Sequence, residues 1–118
     1  MVERKFEGTS RWCMASDGDR RAVVRKCFFR DREIRLLLDF DSAIYDVVLY
    51  RLDSIRWEGT YRAVDHERSE ERHCWARTWS NDEGVMMVGR WREESGAEAA
   101  WWVELWPVDR FAVDGKRA

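Results

Sequence analysis

Apolar and polar residues alternate with a period of two along most of the chain, and the i, i+3, i+4, i+7 spacing of an amphipathic helix is scarce. The alternation predicts strands over 5–15, 21–30, 33–40, 45–53, 56–65, 72–80, 85–93 and 98–107. Turn chemistry separates them at Ser16-Asp17-Gly18-Asp19, Asp31-Arg32, Asp41-Ser42, Asp53-Ser54, Glu67 to Glu70, Asn81-Asp82-Glu83-Gly84 and Glu94-Ser95-Gly96. Glu33 to Phe40 could instead form a short helix. Short strands with a turn signal every dozen residues or so fit an up-and-down barrel or a sandwich. Closing the sheet on itself removes the exposed edges that two separate meanders would leave. The expected fold is therefore all-β: one domain over 1–118, an up-and-down meander of about eight antiparallel strands closing into a small barrel.

A weak internal repeat supports closure. Shifting the chain by 51 residues places Phe6-Glu7-Gly8-Thr9 on Trp57-Glu58-Gly59-Thr60, Arg11 on Arg62, Arg21 on Arg72 and Asp31 on Asp82. Ile34, Leu36 and Phe40 then fall on Val85, Met87 and Trp91. Two further inserted residues bring Val48-Leu49-Tyr50-Arg51-Leu52 onto Trp101-Trp102-Val103-Glu104-Leu105. The chain divides into candidate halves 6–53 and 57–107. Gly8 and Gly59 occupy equivalent strand positions, where glycine is costly unless the strand bends or another group approaches closely.

The same alternation assigns faces. Phe6, Gly8, Ser10, Trp12 and Met14 turn inward while Glu7 and Arg11 turn to water; so do Ile34, Leu36, Leu38 and Phe40 against Glu33, Arg35 and Asp39. Trp57, Gly59, Tyr61 and Ala63 face in, as do Val85, Met87, Gly89 and Trp91. Two strands are apolar on both faces. Segment 72–80 sets Trp75 and Trp79 against Cys74, Ala76 and Thr78; segment 98–107 sets Trp101, Val103 and Leu105 against Trp102, Glu104 and Trp106. A barrel has one inside, so a large apolar set from each strand must lie on the outer wall, and a contiguous apolar patch there signals a partner. Glu104 between Trp102 and Trp106 points to that face as the outer one. The opposite phase would bury Glu104 in the lumen as a polar anchor.

Composition narrows the class. Hydrophobic residues make up 45% of the chain and charged ones 37%, with 8 Trp, 5 Phe and 3 Tyr, enough to fill an interior and cover a surface, which argues against global disorder. The 21 basic and 23 acidic residues are interspersed and leave a net charge of -2, the balance of a solvated mixed surface more than of a nucleic-acid or membrane footprint. No apolar signal core or bilayer-length apolar run is visible, so a cytoplasmic location is expected. The 3 cysteines, Cys13, Cys27 and Cys74, form no CxxC and are expected to be reduced packing residues.

No glycine-rich phosphate loop, HExxH, GxSxG or zinc-ligand spacing occurs, so no catalytic residue, metal ligand or cofactor is assigned. His73 and Cys74 are adjacent on one strand and point to opposite faces, and His66 lies in a polar turn. A lumen carboxylate, Glu104 in the reversed phase, is the one candidate for acid–base chemistry, because burial among tryptophans raises a carboxyl pKa. Arg20, Arg21, Arg25, Lys26, Arg30, Arg32 and Arg35 lie among Phe28 and Phe29, the combination used on single-stranded nucleic acid, but Asp17, Asp19, Asp31 and Glu33 dilute the charge.

Eight meandering strands and the opening Phe6-Glu7-Gly8-Thr9-Ser10-Arg11-Trp12 resemble the calycin-type barrels, the lipocalins and avidins, whose first strand carries a glycine close before a tryptophan. The likeness is one of architecture. It implies a small apolar or amphipathic ligand held in the barrel mouth, often in an oligomer.

The leading expectation is a non-catalytic binding barrel for a small apolar or aromatic ligand, its candidate wall being Trp12, Tyr50, Trp57, Tyr61, Trp91 and Trp101. Small barrels are often solid inside, however, and the same rings would then be core. The alternative is a protein-interaction module working through outer Trp75, Trp79, Trp102, Glu104 and Trp106, the homo-oligomer being the expected assembly. A lumen cyclase or isomerase and a single-stranded nucleic-acid binder are the remaining readings.

Overall fold

The computed structural model describes residues 4–14, 18–40, 43–64, 71–92 and 96–108. Eight strands run in chain order: β1 (Arg4–Met14), β2 (Gly18–Phe29), β3 (Glu33–Phe40), β4 (Ala43–Arg51), β5 (Arg56–Ala63), β6 (Arg72–Ser80), β7 (Val85–Arg92) and β8 (Glu98–Pro107). Each pairs antiparallel with its sequence neighbour, and β1 also pairs with β8, so the sheet closes as a barrel. The expected fold class is found, with strand ends within three residues of expectation. Glu33 to Phe40 is a strand, paired on both sides by β2 and β4. The expected turns at Asp41-Ser42 and Glu67 to Glu70, the turn residues Ser16, Asp17, Glu94 and Ser95, and His66 lie outside the described residues. Among those described, no helix is long and apolar enough to cross a membrane.

The described turns are built by the residues that marked them in sequence. Asp53 Oδ1 accepts from the backbone N–H groups of Ile55 (3.0 Å) and Arg56 (2.9 Å), and Arg56 Nε donates to Asp53 Oδ2 at 2.6 Å. These donors hold the Asp53 carboxyl at about 2. Asn81 Oδ1 caps the β6–β7 turn by accepting from Glu83 and Gly84 N–H at 2.8 and 3.1 Å. Gly96 before β8 has φ 91°, a conformation that glycine adopts without a Cβ clash.

Inside, the faces follow the alternation in β1, β3, β5 and β7, and the core includes Phe6, Trp12, Ile34, Leu36, Leu38, Trp57, Tyr61, Met87 and Trp91. The strands apolar on both faces are decided by room. One inward row runs Trp12, Trp101, Gly89, Ala76, Trp57 around β1, β8, β7, β6 and β5. The small pair Gly89 and Ala76 leaves space for the indoles on either side, whereas turning Trp75 and Trp79 inward would crowd an interior that eight strands make only just wide enough for side chains. β6 therefore buries Cys74 and Ala76, and β8 buries Ala99, Trp101, Val103 and Leu105.

Closure also explains two glycines. A Cβ at Gly8 would lie 1.8 Å from the Glu104 carbonyl oxygen, and one at Gly59 would lie 1.7 Å from that of Val48. At both positions the neighbouring strand crosses directly over the glycine, as a sharply coiled barrel requires. Gly8 pairs with Leu105 and Gly59 with Leu49. Leu49 thus takes the place of Leu105, whereas the sequence offset set it on Trp102; the insertion before the last strand is longer than the offset assumed. A second feature invisible in the pattern is the register shift between Val24 and Lys26, which leaves Arg25 as an extra residue in β2.

Candidate functional site

The lumen holds two aromatic groups. At one end Phe6 packs on Phe29 (4.9 Å between ring centroids), which meets Trp57 at 6.4 Å. Arg4 lies over the Phe6 ring at 5.1 Å and Arg51 over Trp57 at 4.5 Å. Arg51 also donates to the Asp31 carbonyl at 2.7 Å and to that of Ser54 at 3.3 Å, so one guanidinium ties two turns across this end and seals it. At the other end Trp91 stacks on Tyr61 (4.8 Å) and on Trp101 (5.7 Å) and contacts Trp12 (4.9 Å). Phe40 and Tyr45 flank this stack, edge-on to Trp12 at 4.8 Å and tilted against Tyr61 at 6.4 Å, and both are only half-buried.

Three ring polar tips in this interior have described partners. Trp101 Nε1 donates to Ser10 Oγ at 2.7 Å, Trp57 Nε1 to Thr78 Oγ1 at 3.1 Å, and the Tyr61 hydroxyl to the Arg92 carbonyl. No buried side-chain nitrogen or oxygen lacks a hydrogen bond among the described residues. Five of the six expected lumen-wall residues, Trp12, Trp57, Tyr61, Trp91 and Trp101, are therefore brought together and locked as core.

Tyr50 is the exception and a correction. It is 57% exposed on the outer wall. β4 is apolar on both faces except at Asp46 and the terminal Arg51, one on each face, so its own pattern is silent; Leu36 and Tyr61 opposite Val47, with Ile34 and Gly59 opposite Leu49, put Val47 and Leu49 inside and Tyr50 outside. Sequence reasoning also missed Phe29 and Tyr45 as partners of the lumen rings, whereas Phe40 faces inward as the alternation in β3 indicates. Phe29 lies beyond the Arg25 bulge, which resets the phase of β2.

On the outer wall, β6, β7 and β8 bring the other candidates together. Cross-strand pairs set Trp79 beside Met86 and Met86 beside Glu104, Arg77 beside Val88 and Val88 beside Trp102, and Trp75 beside Arg90. Trp79, Met86 and Val88 are 51, 44 and 42% exposed, and Trp75, Trp102 and Trp106 are half-buried around them. Trp106 Nε1 donates to Glu7 Oε1 at 3.1 Å, holding that ring across the β8–β1 seam. Arg90 and Arg92 lie over the Trp75 ring at 5.9 and 5.5 Å while forming ion pairs with Glu98 at 3.1 and 3.6 Å. Glu104 is exposed here, which removes the lumen carboxylate considered for acid–base chemistry.

Two grooves of opposite charge cut this wall. One, about 540 Å³, runs between Trp79 and Trp106 with Met86 and Leu105 beside Glu83 and Glu104. The other, about 460 Å³, lies against Trp75 with Arg56, Arg77 and Arg90 on its rim.

The remaining candidate chemistry is dispersed. In the basic stretch of β2 and β3, Arg25 pairs with Asp39 (3.8 Å), Arg30 with Glu33 (3.8 Å) and Arg35 with Asp46 (3.2 Å), and Phe29 faces the core, while Phe28 is half-buried on the outer face in a groove with Lys26, Arg30 and Arg35. Cys27 and Cys74 are buried, and desolvation pushes both thiols up, Cys74 to about 12, away from thiolate reactivity at neutral pH. His73 and Cys74 sit on opposite faces. Comparison with protein-family models and with curated proteins finds no match to this chain.

Proposed function

We propose that the protein is a non-catalytic interaction barrel that engages a protein partner through the outer wall of β6, β7 and β8. The observation that carries this reading is the contiguous outer surface of Trp75, Trp79, Met86, Val88, Trp102 and Trp106, next to an interior whose rings already satisfy one another. The exposed faces of these side chains gain no burial in the isolated fold, whereas burying Trp79, Met86 and Val88 against a partner would be favourable at about 25 cal/mol per Å². Tryptophan and arginine together are the residue types that dominate binding energy at interfaces.

The test is site-specific photocrosslinking in producing cells. A photoreactive phenylalanine analogue at Trp79 should yield a discrete crosslinked species, and the same analogue at Arg35 on β3 should not. No species from position 79, or the same one from both positions, overturns the reading.

A second reading rests on the half-buried Phe40 and Tyr45 at the end of the lumen away from Arg51, where a small planar apolar guest would stack beside Trp12, Tyr61 and Trp91. The calycin-like resemblance belongs with it, since those barrels hold ligands at the mouth. Its measurement is tryptophan fluorescence under titration with small aromatic compounds: saturable quenching supports it, and a signal unchanged up to the compounds' solubility excludes it.

A further inference from the structure

We infer that the partner of the β6–β8 wall is a second copy of this chain, seated by a two-fold axis that passes between Met86 and Val88 and lays Arg77 of each copy on Glu104 of the other. This rests on the reading of that wall as an interaction surface and adds the identity of what covers it.

The charge pattern carries the inference. Among the Arg and Glu residues of β6, β7 and β8, Arg90 and Arg92 share Glu98, and Arg77 and Glu104 make neither an ion pair nor a hydrogen bond among the described residues. Those two unpaired side chains stand on either side of β7. Arg77 on β6 is level with Val88, and Glu104 on β8 is level with Met86. The line joining them therefore crosses β7 between its two exposed apolar residues.

A two-fold interface is isologous: if residue i of one copy meets residue j of the other, j also meets i. A surface fits itself when opposite charges sit at equal distances on either side of an axis lying in the interface, with apolar groups along that axis. Arg77 and Glu104 meet that condition around Met86 and Val88, with Trp79 and Trp102 completing the apolar centre. The grooves agree in sign, because the Arg77 side of the wall is the basic groove and the Glu104 side the acidic one. Each copy thus offers the cation that the other's Trp79–Glu104 groove accepts, and the charge-assisted bonds form twice. The competing arrangement, which slides acidic groove over acidic groove, sets like charges together and is disfavoured.

Charge reversal with rescue tests the assembly without touching the core. In sedimentation velocity or native mass spectrometry at micromolar concentration, the wild type should be a dimer. Arg77→Glu and Glu104→Arg, each bringing like charges together twice per dimer, should weaken association at least tenfold. The double variant R77E/E104R, in which each pair is re-formed with its sign exchanged, should regain the dimer. Circular dichroism of all four proteins should overlay, since both side chains are exposed.

A wild type that stays monomeric at hundreds of micromolar overturns the inference, and so does a dimer indifferent to both single reversals. In either case the crosslink from position 79 separates the two claims. A species containing a different protein or nucleic acid leaves the wall functional but with another occupant, whereas no species removes the interaction surface as well.

Discussion

Half of the 8 tryptophans face the lumen and half face outward, and the two sets live under different constraints. Trp12, Trp57, Trp91 and Trp101 are at most 6% exposed, stack on aromatic neighbours, and donate to internal acceptors where an acceptor is described. Trp75, Trp79, Trp102 and Trp106 sit on a wall with an open face, touched by arginines and bordered by grooves. The same side chain is thus a structural filler on one face of a strand and a candidate contact on the other. Adjacent Trp101 and Trp102 show that this difference turns on a single residue of phase.

The comparison breaks first if the inner set proves dispensable. Trp101→Ala removes a fully buried indole and its bond to Ser10, and should cost about 3–5 kcal/mol in urea unfolding. A loss below about 1 kcal/mol would mean that the lumen has slack and would favour a guest inside it.

Gly59→Ala probes the tight crossing of β4 over β5. Its new Cβ would meet the Val48 carbonyl, a backbone atom that cannot rotate away, so a cost of about 3 kcal/mol is expected from thermal or urea melts. A variant as stable as wild type would show that the two strands part easily and that barrel closure at this point is loose.

The buried thiols report on the dryness of the lumen. Both have folded-state pKa values above the ordinary 9.0, so above pH 9 the unfolded chain releases protons that the folded chain retains. Their contribution is complete below pH 9 and is lost as pH rises toward 12, at up to about 1.4 kcal/mol per pH unit for each thiol. Urea midpoints between pH 8 and 11 should fall less steeply in Cys74→Ala than in wild type. Identical slopes, or rapid reaction of the native thiols with a disulfide reagent, would indicate a wet interior.

The smallest effect belongs to the outer set. Trp79→Ala, measured on dilute protein, should change stability by no more than about 0.5 kcal/mol, because the ring is half exposed and its loss opens no cavity. A cost above about 2 kcal/mol would make Trp79 a structural residue and weaken the case for a binding wall.

Much of this molecule was legible in the chain. Period-two alternation and the turn residues Asp53, Asn81 and Gly96 fix where strands begin and end, because both are local properties: side chains alternate across any pleated strand, and an Asx or glycine turn is built within a few residues. The lumen cluster was also legible where one face was charged, as in β1, β5 and β7. Tyr50 was misplaced because β4 is apolar on both sides, and Phe29 was missed because the Arg25 bulge shifts the phase without a sequence mark. The Arg51 seal over Trp57 draws on turns near residues 31 and 54, which only folding brings together.

The chain by itself determined that eight extended segments would form and that its tryptophans would exceed what one small interior can hold. Tertiary structure decided which of them stayed inside. In strands apolar on both faces local pattern has no preference, and the choice falls to the finite width of the lumen and to the neighbours whose faces were never in doubt.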